Sequence, residues 1–257
     1  MLVLLPPSEG KRAPASGAPV DLDALTFPAL GPARERALSA LVRLAGGPRR
    51  KALTALRLSP GQAAELDRDA GLREAPAAPA GEVYTGVLYQ HLELATLSPA
   101  ALARGREHVL VASALWGVVA LDDRIPAYRL SMGARLPSLR APGLAAWWRP
   151  RLTAVLPDEP GALVVDLRSG AYAAAWRPQA ATTVEVRAST ADGKPISHMA
   201  KAVRGTVARR LLQARRPPSD PAGVAALADD GAGRVVLHEP SHRGGPWTVE
   251  VVAPAAG

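Results

Sequence analysis

An α/β fold, with α+β as the nearest alternative, follows from three features of the sequence. Six short runs rich in Val and Leu have strand length: Leu2 to Leu5, His108 to Ser113, Ala162 to Leu167, Thr183 to Ala188, Arg234 to His238 and Thr248 to Val252. Several are near-continuous in apolar residues rather than alternating, as in strands covered on both faces. Helical patterns at residues 142–156 and 197–216 separate them, which places helices against a sheet. With 257 residues, 48% of them hydrophobic and 21% charged, such a chain can bury about 70–75% of its unfolded surface.

Taken in order, Leu2 to Leu5 is a buried strand that ends at Pro6-Pro7 and feeds a loop through Ser8, Glu9, Gly10 and Lys11. Residues 13–32 are rich in Pro, Ala and Gly and read as irregular. From Ala33 to Ala45 apolar residues recur at helical spacing, and Gly46-Gly47-Pro48 closes that helix. A second helix from Pro48 to about Leu58 and a third after Pro60 complete a helical N-terminal region over about 33–73. Residues 74–81, EAPAAPAG, read as a linker and as the best candidate boundary, since length alone allows one large domain or two small ones. A Tyr-containing segment, Glu82 to His91, precedes the second strand. No internal repeat of fixed period is present.

Composition removes several chemistries. With no cysteine there is no disulfide, no iron–sulfur cluster and no thiolate nucleophile. The apolar start stops at Pro6, and no apolar run approaches the roughly 18 residues of a membrane span, so a cytoplasmic protein that does not enter membranes is expected. The net charge of +8 and pI near 10.5 invite a polyanionic partner. Part of that basicity is compositional drift, because 27 of the 31 basic residues are Arg in a chain crowded with Ala, Pro and Gly. The four lysines, Lys11, Lys51, Lys194 and Lys201, are therefore informative: a site that needs a compact ammonium cannot accept a guanidinium. Lys11, Lys194 and Lys201 are expected to be more sheltered than the average arginine, and Lys51 to be plain surface.

Familiar motifs fail. Glu9-Gly10-Lys11 is no phosphate loop, since Leu5 and Arg12 stand where that pattern needs Gly and Ser or Thr. Neither G-x-G-x-x-G after a strand nor G-x-S-x-G occurs. His238 and His242 are separated by Pro240, which prevents a helix from aligning them on a metal. No metal site and no cofactor are expected.

Four polar segments remain. Ser8 to Lys11 follows a strand, where α/β proteins place ligands; a solvated turn explains it about equally well. Ser113 to Gly133 carries Trp116, Asp122, Tyr128 and Arg129, the mixture of a lined cleft or of a long structural loop. Asp166 to Tyr172 contains Arg168 and Ser169 after another strand, suited to holding an anion, although a helix N-cap at Ser169 is more economical. Between Lys194 and Arg216 seven basic side chains meet no acid. There a helical wheel gathers Ser197, Lys201, Arg204, Gly205 and Ala208 on one face, small residues that would admit an anion, and Met199, Val203, Thr206 and Val207 on the other.

These residues resemble the YaaA peroxide-stress protein family. The resemblance rests on the opening strand with its Pro-rich Ser and Lys loop, Val83-Tyr84-x-Gly86-Val87, the Y-R-L-x-M-G motif from Tyr128 to Gly133, the strand leading to Ser169 and Tyr172, and Lys201-x-x-Arg204-Gly205. It implies one domain over residues 1–257 with a mixed sheet covered by helices, a basic cleft, DNA binding and a role in limiting iron-dependent oxidative damage. Ser131 stands where a Glu is frequent, and Gly170-Ala171 where Asn-Glu is, the marks of a divergent branch. The family is also associated with a helix-hairpin-helix DNA contact, but Leu115 to Val119 has only one of the two glycines such a hairpin prefers, so DNA binding here is an implication of the resemblance and not of spacing.

Two functional readings follow. In the first, DNA phosphates bind the basic helix and the Arg129 loop. In the second, an enzyme holds a nucleotide or other small anion among Ser8, Lys11, Tyr84, Trp116, Arg129, Arg168, Ser169, Tyr172, Lys194, Lys201 and Arg204, with Lys11, Asp122, Tyr128 or Lys201 as candidate catalytic groups. Cleft shape separates them: a deep pocket favours the enzyme, an open groove the duplex.

Overall fold

In the computed structural model, which describes residues 1–190, 197–231 and 233–253, each apolar run of the sequence becomes a strand. The strands are β1 (Leu2–Leu5), β2 (Ala78–Pro79), β3 (Val109–Ser113), β4 (Gly117–Ala120), β5 (Arg124–Ile125), β6 (Leu163–Asp166), β7 (Thr182–Ser189), β8 (Arg234–His238) and β9 (Trp247–Val252). Seven of them form a mixed sheet in the order β4-β3-β1-β6-β7-β9-β8, and β2 and β5 form a separate small ribbon. β1 pairs in parallel with both β3 and β6, so that Leu4 lies between Leu110 and Asp166. The parallel pairing continues through β7 to β9, while β4 and β8 run antiparallel on the two outer edges. β3 and β6 are buried along their whole length, as their unbroken apolar character requires.

Ten helices are described: α1 (Gly31–Ala45), α2 (Arg49–Leu56), α3 (Ala64–Ala70), α4 (Ala80–Val83), α5 (Val87–Leu92), α6 (Pro99–His108), α7 (Leu144–Thr153), α8 (Gly170–Ala173), α9 (Ser197–Gln213) and α10 (Pro221–Ala228). The sequence pattern finds α1, α2, α3, α7 and α9 within a few residues. It misses that Glu82 to His91 is two short helices, α4 and α5, broken at Tyr84 to Gly86. It also misses β4, which folds straight back on β3. Gly117 makes that return possible: its φ is +76°, and a Cβ there would come within 2.9 Å of the Trp148 ring. Residues 74–81 carry β2 and the start of α4. Their backbone is tied to the rest of the chain, with Ala77 N–H donating to Ala18 and Ala80 N–H to Asp123.

One apolar core runs from β1 through α1 and α9, and it includes the fully buried Trp116, Trp148 and Trp176. Among the described residues no helix is long and apolar enough to cross a membrane.

Candidate functional site

Because β1, β3, β6, β7 and β9 are parallel, their carboxyl ends share one edge of the sheet, and the loops that leave those ends meet. The loop after β1 is stitched to the break between α4 and α5. Lys11 forms a backbone bridge with Tyr84, Arg12 N–H donates to Val83, and Ser8 Oγ accepts from Thr85 N–H at 2.9 Å while donating to the Gly10 carbonyl at 2.5 Å. The Tyr89 hydroxyl donates to the Pro6 carbonyl at 2.8 Å. The result is a cleft of about 360 Å³, walled by this loop, by residues 85–89 and by the Arg129 segment, with Ser169 and Tyr172 from the β6 side and Lys201 and Arg204 from α9.

Lys11 lies at the aromatic floor. Its Nζ is 4.2 Å from the centre of the Tyr128 ring and 5.4 Å from that of Tyr84, and it donates to the Ser8 carbonyl at 2.8 Å. Burial is the main cause that lowers its ammonium pKa to about 7, and the nearby Arg129 charge acts in the same direction. Asp69, Glu65 and Glu9 oppose the shift. The two ring faces also favour the ammonium, and burial outweighs these opposing influences. Beneath it, the Tyr84 and Tyr128 hydroxyls are 3.0 Å apart, and Tyr128 is 2.7 Å from Ser113 Oγ, which accepts from the Leu115 and Trp116 amides. Burial pushes both phenols far above their usual range, so they remain neutral.

Behind the floor, Asp69 on α3 is fully buried. Its Oδ1 accepts from the Arg129 amide at 2.8 Å, and among the described residues its Oδ2 has no hydrogen-bond partner. Burial raises this carboxyl to about 7. At the rim, the Arg129 guanidinium donates to Glu9 at 3.1 Å, and Arg204 Nε donates to the Val186 carbonyl at 3.1 Å.

Ser8, Lys11, Arg129, Ser169, Tyr172, Lys201 and Arg204 thus line the cleft as the sequence suggests, with Tyr84 and Tyr128 under it. Other candidates lie elsewhere. Asp122 is on the surface in an ion pair with Arg106 at 2.7 Å. Trp116 is completely buried, edge-on to Tyr128, and acts as packing. Arg168 is fixed by a two-pronged pair with Asp166, at 2.8 and 2.7 Å, and by the Trp176 carbonyl, so its fork is already occupied. Lys194 lies outside the described residues. Lys201 reaches the cleft from an exposed position rather than the sheltered one expected, whereas Lys11 is half-buried and Lys51 is exposed as anticipated.

One reading of the basic helix needs correction. Gly205 and Ala208 do not admit an anion: α5 covers that face, and a Cβ on Gly205 would run into the Leu88 carbonyl. The segment Leu115 to Val119, short of the glycines of a helical hairpin, belongs to a β-hairpin between β3 and β4. The sequence reading omitted Asp69, Thr85 and Tyr89. Asp69 looks like one more charge in the run Asp67-Arg68-Asp69 near the end of α3, and no local pattern hints at its burial. Among the described residues no cluster of His, Asp or Glu could hold a metal.

Comparison with known proteins matches residues 1–231 to the family described as peroxide stress protein YaaA. A UPF0246 protein of Streptomyces coelicolor is 46% identical over 257 residues, covering 98% of each chain. UPF0246 proteins of Corynebacterium efficiens and Corynebacterium glutamicum are 40% and 38% identical, covering 92% and 95% of this chain and 94% and 97% of their own.

Proposed function

The chain belongs to the YaaA peroxide-stress protein family, and from that premise we propose that it acts in the cytoplasm as an enzyme on a small phosphate- or carboxylate-bearing molecule of about nucleotide size, held in the cleft at the sheet edge. The observation that carries this reading is the shape of the cleft. Its volume of about 360 Å³ lies at the lower end of the range of small-molecule sites, about 300–1,000 Å³, the scale of a bound small molecule. Four cationic residues, Lys11, Arg129, Lys201 and Arg204, line it beside three serines, Ser8, Ser131 and Ser169. The guanidinium forks suit phosphate or carboxylate oxygens, and the low-pKa amine of Lys11 is suited to proton transfer near neutrality.

A second reading, DNA binding through backbone phosphates, is favoured by the net charge of +8 and by the family resemblance. It would use the exposed rim around Lys201 rather than the floor. Calorimetric titration with a nucleoside monophosphate, inorganic phosphate and a short duplex distinguishes the two. The enzyme reading expects saturable binding of the monophosphate that Arg129→Ala weakens about tenfold or more. Tight duplex binding with no monophosphate binding would reverse the order of the two readings.

A further inference from the structure

Lys11 has a setting of its own among the cations of the cleft, because two tyrosine rings surround its charge. Among the described residues it forms no ion pair, and its one hydrogen bond goes to the Ser8 carbonyl. The rest of its end is covered by the Tyr128 and Tyr84 rings. The charged groups around it are Arg129, which repels the ammonium, and the acids Asp69, Glu65 and Glu9, which favour it. Glu9 is already bound to Arg129, and Asp69 is held on the Arg129 amide. Lys11 is also one of the residues that line the cleft, and the loop carrying it is fixed at three points on residues 83–85.

A desolvated amine beside a second fixed cation, facing a hollow lined with anion holders, is the arrangement that makes a lysine nucleophilic. We propose that Lys11 forms a Schiff base with the carbonyl carbon of a small aldehyde or keto compound whose carboxylate or phosphate is held by Arg129, Lys201 and Arg204. The nitrogen lone pair attacks the carbonyl carbon, and the C=O π pair moves to oxygen. A proton passes from nitrogen to that oxygen to give the carbinolamine. A proton from solvent goes to the carbinolamine hydroxyl, the C–O bond breaks as water leaves, the nitrogen lone pair closes the C=N bond as an iminium, and that iminium returns its N–H proton to solvent. Amine and carbonyl give imine and water, with no oxidant or reductant required. The lowered pKa of Lys11 to about 7 provides the neutral amine that the first step needs. An arginine could not replace it, since the guanidinium stays protonated.

This inference rests on the small-anion reading of the cleft, and one experiment tests the two separately. The full-length protein is incubated with glyoxylate or glyceraldehyde 3-phosphate and cyanoborohydride, and the reduced imine is located by peptide mass mapping. Lys11 is expected to be modified about tenfold faster or more than the surface residue Lys51, with a rate that rises through pH 7 rather than near 10. Inorganic phosphate should slow modification of Lys11 but not of Lys51. Modification of Lys11 no faster than Lys51, or an unchanged yield in a folded Lys11→Arg variant, overturns the Schiff base. If the monophosphate still binds in that case, the anion site stands and only the amine chemistry falls. Because Lys11 and Lys51 are compared within the unaltered protein, the result does not depend on how the variant folds.

Discussion

The Nζ atom of Lys11 stands 4.2 Å from the centre of the Tyr128 ring, and the hydroxyl of that same ring is 2.7 Å from Ser113 Oγ on β3. The tyrosine therefore presents its face to the cleft and its polar tip to the sheet. Tyr128→Phe keeps the face and removes the tip, leaving the buried Tyr84 hydroxyl without its partner. A loss of about 1–3 kcal/mol in urea denaturation is expected, with ligand affinity little changed. A stability equal to the parent would mean that the hydroxyl chain contributes nothing.

Two buried groups set opposite pH trends. Asp69 is raised from 3.8 to about 7, so between these values the folded chain binds more protons than the unfolded one, and stability falls as pH rises. Lys11 is lowered from 10.5 to about 7, so between these values the folded chain binds fewer protons, and stability rises with pH. Asp69→Asn keeps an acceptor for the Arg129 amide and removes the first trend. The melting temperature of the variant should therefore gain on the parent by about 4 °C or more between pH 4 and 7. A constant difference across that range would contradict the burial argument.

The Arg168–Asp166 pair is almost wholly buried, with side chains 1% and 5% exposed. Removing one partner strands the other, so Arg168→Met or Asp166→Asn is expected to cost about 3–5 kcal/mol. The double change Arg168→Met with Asp166→Asn should cost less than the sum. Chemical denaturation of the three variants checks this; strictly additive losses would show that the pair is not coupled.

Gly205→Ala would press a methyl group into the Leu88 carbonyl on α5. We expect a loss of about 1–3 kcal/mol together with weaker anion binding, because residues 87–89 of α5 form one wall of the cleft. Thermal denaturation and calorimetry read the two effects. Lost stability with intact binding would uncouple that wall from the site.

Salt separates the two functional readings. Contact with about five duplex phosphates gives a log–log salt slope near −4.5, whereas one anion held in a partly desolvated cleft is screened far less. Arg209 contributes little to either, since its guanidinium donates to the Leu92 and Glu93 carbonyls at 3.0 and 2.9 Å. Arg209→Ala should lower the melting temperature and leave the salt slope unchanged. A slope reduced by about one unit would assign Arg209 to phosphate contact instead.

The strands were legible because burial on both faces leaves an unbroken apolar run, and Val109–Ser113 and Leu163–Asp166 are such runs. β4 escaped because Gly117 to Ala120 follows β3 through a three-residue turn that reads as part of a polar motif. Much of the cleft was legible too, since each strand end delivers its own polar cluster. Its depth was not: whether Asp69 is buried under Arg129, or Arg168 turned inward to Asp166, depends on contacts between distant segments that no local pattern encodes. Gly205 and Ala208 show the same limit. Small residues announce a close approach, and only the fold says that the approaching group is a helix rather than a ligand.

The placement of β1 also governs the order in which the protein can be made. Val3 finds its partners at Val109 on one side and Val165 on the other. A ribosome must therefore deliver well over half the chain before the middle of the sheet can close. Until then Leu2 to Leu5 is an apolar strand with both edges open, the kind of segment that chaperones bind and that pairs wrongly when crowded. High contact order slows the final closure further. The loop that carries Lys11 is thus synthesised before β3 and β6 and reaches its working geometry only after both have joined β1.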